Sequence, residues 1–388
     1  MHMKTYPSIF NDVIGPVMRG PSSSHCAASL RIGRIGRDLM GGVIKNILVE
    51  FDPEGSLATT HKSQGSDMGL FGGFLGWEAY DERLPEAERY IEMAGIRVDI
   101  VIRDIAARHP NTYKITLHNN EESRSLTAIS TGGGMIEIIE IDGAKLSMAG
   151  DYFETLVYVE AAADTGSFLS SSFTGTMIFH DGTVPFFEIK SQCFPSDSLL
   201  QEWMQLPNVH CIKRIHPVLP VLSSPNMSVP FITCEEMMAY NEGKNLELWE
   251  LAVHYEAARG NIGHEEVMNK MRGIVQIMRN SIYSGLQGTH YDDRILGTQS
   301  VQFKEKKAKK KLVEGEVLNT IIMYVSAMME VKSSMGVIVA APTAGSCGAL
   351  PGAVIGVGDA MKINEEEVVK AMMAAAVIGV FIAAHATF

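Results

Sequence analysis

The chain has 388 residues, of which 46% are hydrophobic and 20% are charged, and its formal net charge is −12. This size and composition predict two to three globular domains and exclude a disordered or collagen-like chain. The acidic balance argues against nucleic acid as a partner, because phosphate binding requires a basic surface. The five cysteines form no CxxC pair and are odd in number, which favours reduced thiols. No signal-peptide pattern follows Met1, so a cytoplasmic location is expected.

The first stretch, residues 1–150, predicts a domain of mixed α/β type. Apolar residues at helical spacing predict a helix over 27–40. Runs rich in branched apolar residues predict strands over 43–51, 96–103, 113–118 and 135–141. The chain as a whole is predicted to be an α+β protein that begins with this domain.

Residues 151–225 predict a small β-rich segment. Strands are expected over 156–160, 176–180, 184–190 and 209–215, with a helix over 198–204. Two interpretations stay open here: a ligand-binding module of the ACT type, and a structural spacer that extends the first domain.

Residues 226–388 predict an all-helical domain rich in methionine, with helices over 246–258, 265–281 and 317–331. The final stretch, Ala371 to Phe388, is apolar enough to raise the question of a membrane span. Its content of alanine, methionine and glycine favours a buried helix, and no membrane is expected as a partner. Because no cap or polar tail closes this helix, we expect the domain to be truncated here.

The segment Gly20-Pro21-Ser22-Ser23-Ser24-His25 directly precedes the first predicted helix. A helix start offers free backbone N–H groups and the positive end of the helix dipole, and the hydroxyls and the imidazole add further polar groups. These features predict a site for a carboxylate or a phosphate, although a serine that merely caps the helix gives the same pattern. The arginines that follow at spacing three, Arg31, Arg34 and Arg37, are interpreted as a solvated stripe.

A glycine-rich turn, Ser130-Thr131-Gly132-Gly133-Gly134, follows the first three predicted strands. Glycine lets a backbone approach a ligand closely, and phosphate-cradling loops of pyridoxal-phosphate enzymes have a similar composition. A plain turn between two strands explains the sequence equally well, and no motif for a Schiff-base lysine is found.

The loop from Ala340 to Gly352 places one cysteine, Cys347, among small residues and between two prolines. A thiolate in this setting is suited to act as a nucleophile or as a ligand for a soft metal. The alternative is a small buried cysteine at a close crossing of two helices.

Taken together, four segments carry a resemblance that none of them carries alone. They are Gly20-Pro21-Ser22-Ser23-Ser24-His25, Gly55-Ser56-Leu57 with Gly65-Ser66-Asp67, Ser130-Thr131-Gly132-Gly133-Gly134, and Ala341-Pro342-Thr343-Ala344-Gly345-Ser346-Cys347-Gly348. In this order they resemble the iron–sulfur-dependent bacterial L-serine dehydratases, also called L-serine ammonia-lyases. The resemblance runs from about Asp12 onward and is weakest over 151–225. Its order is that of a fused chain, with the family's β domain first and its α, catalytic domain second.

The resemblance implies a lyase of amino-acid degradation that converts L-serine to pyruvate and ammonia. It implies a [4Fe–4S] cluster that acts as a Lewis acid on the substrate, no pyridoxal phosphate, and a homodimer. Cys347 matches the first cluster-ligating cysteine of the family. The family's other ligands begin in a Gly-Cys-Gln-type segment shortly after the equivalent of Phe388, and this sequence has no counterpart of them.

The resemblance also implies a substrate site. His25 would be a catalytic residue, Ser22, Ser23 and Ser24 would hold the carboxylate of L-serine, and Thr131, Gly132 and Gly133 would form part of the same wall. One departure concerns the family's Gly-His-x-Thr-Asp stretch, where Gln64 replaces the histidine and cannot act as a base. His61 lies nearby without matching that stretch and is interpreted as a surface residue.

Two other functions stay open. One is an amino-acid-binding regulatory protein in which the first two domains bind a ligand and the helical part is inert. The other is a pyridoxal-phosphate lyase, which the missing lysine motif disfavours.

Overall fold

The computed structural model describes residues 6–20, 22–160, 172–292, 294, 296–341 and 345–385. The chain divides into two compact units. The helical unit combines the residues up to Ser24 with those from Asn226 onward, and the sheet unit comprises His25–Pro225. The residues before Ser24, which the sequence assigns to the first domain, therefore lie in the helical unit. The segment 151–225 lies in the same unit as the residues from His25 to 150.

The helices, in chain order, are α1 (Ser23–Leu39), α2 (Leu57–Thr60), α3 (Ser66–Phe74), α4 (Ala87–Met93), α5 (Asp197–Met204), α6 (Cys234–Asn241), α7 (Leu248–Gly260), α8 (His264–Gln287), α9 (Ser300–Ala308), α10 (Glu316–Ser333), α11 (Ser346–Ala360) and α12 (Glu365–His385). A short π-helix, Ile9–Val13, and a 3-10 turn, Leu84–Glu86, complete the helical elements of the described residues. The strands are β1 (Val17–Arg19), β2 (Asn46–Phe51), β3 (Arg97–Ile102), β4 (Thr112–His118), β5 (Ser123–Gly132), β6 (Met135–Ile141), β7 (Ala144–Met148), β8 (Phe153–Val159), β9 (Thr176–His180), β10 (Phe186–Ser191), β11 (Val209–Ile215) and β12 (Val337–Val339).

The first sheet of the sheet unit has the strand order β3-β2-β4-β5-β6-β7. β2 and β3 run parallel, and the other neighbouring strands are antiparallel. Buried side chains alternate with more exposed ones along β4 and β5, which is the period expected of a sheet with one face against a core. α1 covers that face: a Cβ atom on Gly36 would lie 3.3 Å from Leu117 and 3.5 Å from Leu126.

The second sheet has the order β11-β8-β10-β9 and is antiparallel throughout. Its two faces differ in chemistry because side chains alternate along β10. Phe187 and Ile189 point into an apolar core that includes Trp203 of α5. Glu188 and Lys190 lie between them in sequence and are also buried. This face of the second sheet is therefore a buried charged surface.

The helical unit consists of closely packed helices, with α7 against α12 and with α8 and α11 against α10. Two buried glutamates fix segments that are distant in sequence. The carboxylate of Glu256 accepts hydrogen bonds from the Ser8 hydroxyl at 2.5 Å and the Ile9 N–H at 2.8 Å. The carboxylate of Glu330 accepts the N–H groups of Gln299 and Ser300, at 2.7 and 2.8 Å.

The apolar end of the sequence forms α12. This helix has 21 residues and is long and apolar enough to cross a membrane by length and composition alone. The core helix of a globular domain passes the same test, and 44% of its most apolar window is buried. Its buried side chains include Met372, Ala376 and Val380, and the helix contacts α7 and the π-helix. Residues 386–388 lie outside the described part of the chain.

The structure confirms the predicted α+β class, with a mixed α/β part before a helical region. β6, β9 and β11 have the predicted bounds, α8 and α10 cover the predicted helices 265–281 and 317–331, and α7 begins and ends two residues later than predicted. The first helix begins at Ser23 instead of residue 27, so two of the three serines lie inside it. The sequence does not predict α3, because its glycines lower the helix propensity that pattern recognition relies on.

Candidate functional site

The first turn of α1 contains Ser23, Ser24 and His25, and Ser22 directly precedes it. Ser23 is 9% exposed, and the other three residues are half-buried. Pro21 lies outside the described residues. The predicted combination of a helix start, hydroxyl groups and an imidazole is therefore present on one turn of a 17-residue helix. Such a turn is suited to hold a carboxylate.

Burial lowers the pKa of His25 below the ordinary value for an imidazole. The neutral form of the ring is therefore favoured at neutral pH, and the ring can both donate and accept a hydrogen bond. This makes His25 suited to polar contact with a substrate more than to acting as a fixed positive charge.

Arg31 connects α1 to the glycine-rich turn. Its guanidinium donates to the Gly134 carbonyl at 2.5 Å, and the residue is only 3% exposed. The interpretation of Arg31 as part of a solvated stripe is therefore wrong, because the guanidinium is buried in the sheet unit and donates a hydrogen bond there. Arg34, one turn later, is half-buried and pairs with the exposed Glu78 at 2.7 Å.

The glycine-rich turn is the connection between β5 and β6. Gly132 pairs with Met135 across the hairpin, and Gly133 and Gly134 form its tip with φ of 59° and 86°. Positive φ at both tip positions favours glycine, which explains the sequence by turn geometry alone. Thr131, Gly132 and Gly133 are exposed, and a Cβ atom on Gly132 or Gly133 would meet no described atom within 4 Å. The backbone here is open to a ligand.

α3 lies directly against α1 because glycines remove the side chains between them. A Cβ atom on Gly69 or Gly73 would collide with backbone carbonyl oxygens of α1, and one on Gly33 of α1 would collide with α3. The close approach fixes the loop before α3 beside the start of α1. Gly65, whose φ of 75° favours glycine, would have its Cβ 3.6 Å from the Cβ of Cys26.

This loop holds a pair that the sequence reasoning missed as a functional feature. Nδ1 of His61 lies 2.7 Å from Oδ1 and 2.9 Å from Oδ2 of Asp67. The side chains are 22% and 15% exposed, so His61 is half-buried and one edge of its ring remains accessible. Burial raises the pKa of Asp67, and the hydrogen bond from His61 opposes that shift. The spacing of six residues matches no common motif. In the sequence, Asp67 is therefore included in a motif but is not paired with His61.

Two neighbours complete this part of the sheet unit. The Ser66 hydroxyl meets the Tyr113 hydroxyl at 3.2 Å, and Tyr113 is fully buried. Burial raises the pKa of Tyr113, with smaller contributions from the charges of Asp67 and Cys26. Tyr113 therefore stays protonated and is a permanent hydrogen-bond group between the two helix starts.

Cys347 lies in the first turn of α11, after Gly345 with a φ of 86°. It is 6% exposed, and burial raises the pKa of its thiol. The N–H groups of Cys347 and Gly348 and the charge of Lys332 oppose that shift. A thiolate here would therefore be supported by the helix start. Residues 342–344 of the predicted loop lie outside the described part of the chain.

α11 crosses α10 at close range, as the structural alternative for Cys347 predicts. A Cβ atom on Gly348 would lie 2.8 Å from the Met329 sulfur, one on Gly352 2.9 Å from the Val325 nitrogen, and one on Gly356 3.2 Å from the Ile321 Cα. The spacing of four residues places the three glycines on one helix face. Cys347 is thus held by a rigid crossing, which suits either a packing role or a ligand role.

A two-stranded ribbon connects the segments that lead to Ser22 and to Cys347. β1 and β12 pair antiparallel, with Val17 opposite Val339 and Arg19 opposite Val337. The segment toward Ser22 leaves at one end of this ribbon, and the loop toward Cys347 leaves at the other. The ribbon itself does not bring these two candidate groups together.

The residues described here do not include a preformed metal site. Among them, no group of three or more histidine, cysteine, aspartate or glutamate side chains is placed to hold a metal ion. The five cysteines are all free, and only Cys234 accompanies Cys347 in the helical unit.

Comparison with known proteins identifies two kinds of relative. The family model described as serine dehydratase alpha chain matches residues 243–388. A probable L-serine dehydratase beta chain of Bacillus subtilis (strain 168) is 44% identical over 152 residues, which are 39% of this chain and 68% of that protein. The L-serine dehydratase beta chain of Peptoniphilus asaccharolyticus is 32% identical over 167 residues, which are 42% of this chain and 74% of that protein.

An alpha chain is matched as well. The probable L-serine dehydratase alpha chain of Bacillus subtilis is 22% identical over 157 residues, which are 40% of this chain and 52% of that protein. Beta and alpha chains that are separate proteins in that organism thus both match one polypeptide here. The chain belongs to the L-serine dehydratase family and joins a beta-chain-like part and an alpha-chain-like part.

Proposed function

We propose that this chain dehydrates and deaminates L-serine to pyruvate and ammonia. The observation that carries the proposal is the match of one polypeptide to both the beta and the alpha chain of proteins named L-serine dehydratase. The reaction removes a weakly acidic Cα proton and expels hydroxide, which is a poor leaving group. It therefore needs a base, a group that holds the substrate and an electrophile at the leaving oxygen.

The start of α1 is suited to hold the substrate. L-serine carries a carboxylate, and the N–H groups and positive dipole end of a helix bind such an anion. The hydroxyls of Ser23 and Ser24 lie on the same turn, and Ser22 precedes it. The neutral ring of His25 is a further hydrogen-bond group there. In this proposal the exposed backbone of Thr131, Gly132 and Gly133 also contacts substrate.

We also propose that Cys347 contributes one ligand to a [4Fe–4S] cluster. Such a cluster is held by three or four thiolates, and when bound it supplies a Lewis acid. The donors of this chain do not fit a cluster by themselves, because Cys347 has only Cys234 as a second cysteine in its unit. The other ligands would have to come from outside these 388 residues.

The test is an anaerobic assay, after incubation with iron and sulfide, of these 388 residues together with the polypeptide that supplies the remaining cluster ligands. We expect pyruvate and ammonia from L-serine, and calorimetry should detect L-serine binding. Cys347→Ser should lower bound iron and product formation together, whereas Cys234→Ser, at an exposed position in the same unit, should change neither.

Three outcomes separate the explanations. Absence of both binding and turnover would contradict the proposed function. Binding of L-serine without turnover or iron uptake would favour an amino-acid-binding regulatory protein instead. Turnover and iron content that survive Cys347→Ser would leave the dehydratase in place and remove the proposed cluster ligand.

A further inference from the structure

We propose that His61 is the general base that removes the Cα proton of the amino-acid substrate, and that Asp67 is the positioning residue that orients its ring. This inference rests on the proposed function and concerns residues that no comparison assigns. It is carried by the geometry of the sheet unit around the start of α3.

The hydrogen bonding of the pair selects one form of the ring. Both carboxylate oxygens of Asp67 lie within 2.9 Å of Nδ1 of His61. A carboxylate in this position accepts the Nδ1 proton, so the lone pair of the neutral ring resides on Nε2. No described residue forms a hydrogen bond with that nitrogen. The side chain is 22% exposed, so Nε2 is within reach of a small molecule.

The pair is also held rigidly. The backbone carbonyl of His61 accepts the N–H of Ser66 at 2.8 Å and closes the loop between α2 and α3. The ring lies on Phe51 of β2, with 5.2 Å between ring centroids. Because both ends of the pair are fixed by backbone and packing, the ring needs little reorganisation to accept a proton.

The location suits a base for an amino acid. Gly65, within the His61–Asp67 loop, lies against Cys26, the residue after His25. The loop therefore adjoins the helix start that is proposed to hold the substrate carboxylate. The Cα of an amino acid is bonded directly to its carboxylate carbon, so a base that removes the Cα proton must act beside the carboxylate site.

Gln64 does not compete for this role. A neutral amide has no basic nitrogen at neutral pH. Of the ionisable side chains between residues 60 and 68, His61 is the only imidazole, the side chain that most often acts as a general base.

The step balances as an elimination. Nε2 of His61 takes the Cα proton, the electron pair of the C–H bond forms the Cα–Cβ double bond, and the Cβ–O bond breaks with its electrons on oxygen. The leaving hydroxide and the proton returned by the imidazolium together make water. The 2-aminoacrylate product tautomerises to an imine, which water hydrolyses to pyruvate and ammonia.

The first test compares four variants under the assay conditions above. His61→Asn should lower kcat by about 10²–10⁴-fold with little change in the L-serine affinity measured by calorimetry. Added imidazole should restore part of the activity of His61→Gly, which a purely structural role would not produce. Asp67→Asn should lower kcat less than His61→Asn, and Gln64→Ala should leave kcat unchanged.

The second test does not depend on turnover. Diethyl pyrocarbonate modifies neutral imidazoles, and peptide mass analysis locates the product. L-serine should slow modification of His61 and leave His210, whose side chain is 45% exposed, unaffected. If the wild-type chain forms no pyruvate, the proposed function fails, and this protection still decides whether His61 lies at a serine site. Full kcat in His61→Asn, or no protection of His61, would overturn the inference.

Discussion

The sheet unit and the helical unit are stabilised in different ways. One face of the second sheet contains a buried charged cluster, in which Lys190 Nζ lies 3.1 Å from Glu154 and 3.0 Å from Glu188. The same ammonium donates to the Ser147 carbonyl at 2.9 Å. His180 adds a contact of 2.8 Å to Glu188. The ion pairs thus join β8, β9 and β10 within this sheet, and the hydrogen bond to Ser147 links it to β7 of the first sheet.

The crossing of α10 and α11 in the helical unit depends on close backbone contact. Gly348, Gly352 and Gly356 allow α11 to approach α10 so closely that an added methyl group would meet backbone atoms at two of the three positions. Buried methionines such as Met328 and Met372 fill the remaining space. Methionine adapts its shape to irregular gaps, so the crossing depends on volume more than on any single polar contact.

Because the two units are stabilised differently, we expect them to respond differently to the same kinds of substitution. A buried charge is costly once its partner is lost, because desolvation is no longer compensated. A glycine crossing is insensitive to charge but fails when volume is added. Each candidate site depends on the type of contact that stabilises its unit. His61 and Asp67 form a hydrogen-bonded polar pair within the sheet unit, and Cys347 lies in the first turn of α11, the helix of the glycine crossing.

The largest effect is expected from Lys190→Met. It removes the ammonium that serves two buried carboxylates and should destabilise the chain by about 3–5 kcal/mol. Urea unfolding followed by tryptophan fluorescence measures this, since Trp77 and Trp203 lie in the sheet unit. Lys145→Met, at an exposed position on β7, is the matched control and should change stability little. Equal effects of the two variants would contradict a stabilising role for the charged cluster.

A smaller effect, of opposite physical origin, is expected from Gly352→Ala. The new methyl group would lie 2.9 Å from the Val325 nitrogen, and overpacking of this kind costs about 1–3 kcal/mol. Gly273→Ala makes the same change on α8, where no described atom lies within 4 Å, and should stabilise by up to about 1 kcal/mol. Thermal unfolding followed by circular dichroism compares them, and stabilisation by both would refute the close crossing.

The comparison also explains which parts of the fold the sequence predicts. Strands with alternating apolar residues, such as β4 and β6, are predicted within a few residues because their pattern directly reflects a half-buried sheet. β5 is not predicted, since its serines and threonines carry no clear apolar alternation. Its place in the sheet depends on pairing with β4 and β6. The residues of β5 alone do not encode this pairing.

The candidate site divides in the same way. Local motifs are enough to single out the start of α1, the glycine turn and Cys347, because each is a short run of unusual residues. The burial of Arg31 and the His61–Asp67 pair depend on tertiary contacts with Gly134 and within the loop before α3. From a single sequence such charged residues are expected to be exposed, because charged residues are rarely buried. The glycines at 348, 352 and 356 do carry a usable signal, since spacing four predicts a close helix contact.

The smallest expected effect is a dependence of stability on pH. One ammonium in the charged cluster can neutralise only one of two carboxylates, and burial raises the pKa of Glu154 to about 8. A carboxyl whose pKa is higher in the folded than in the unfolded chain binds its proton more tightly when folded. Its contribution to stability is therefore complete below about pH 4.5, the ordinary pKa of a glutamate, and is lost as the pH rises through about 8.

Glu154→Gln resembles the protonated carboxyl and should remove this dependence. The two pKa values of Glu154, in the unfolded and the folded chain, set a window of about pH 5 to 8. Across this window wild type should lose stability relative to the variant. The difference cancels contributions from other groups such as His25, whose lowered pKa acts in the opposite direction over part of this range. Glu121→Gln, at an exposed turn, should follow wild type. Parallel curves for wild type and Glu154→Gln in urea titrations across this range would mean that Glu154 is ionised when folded, with Lys190 as its full counterion.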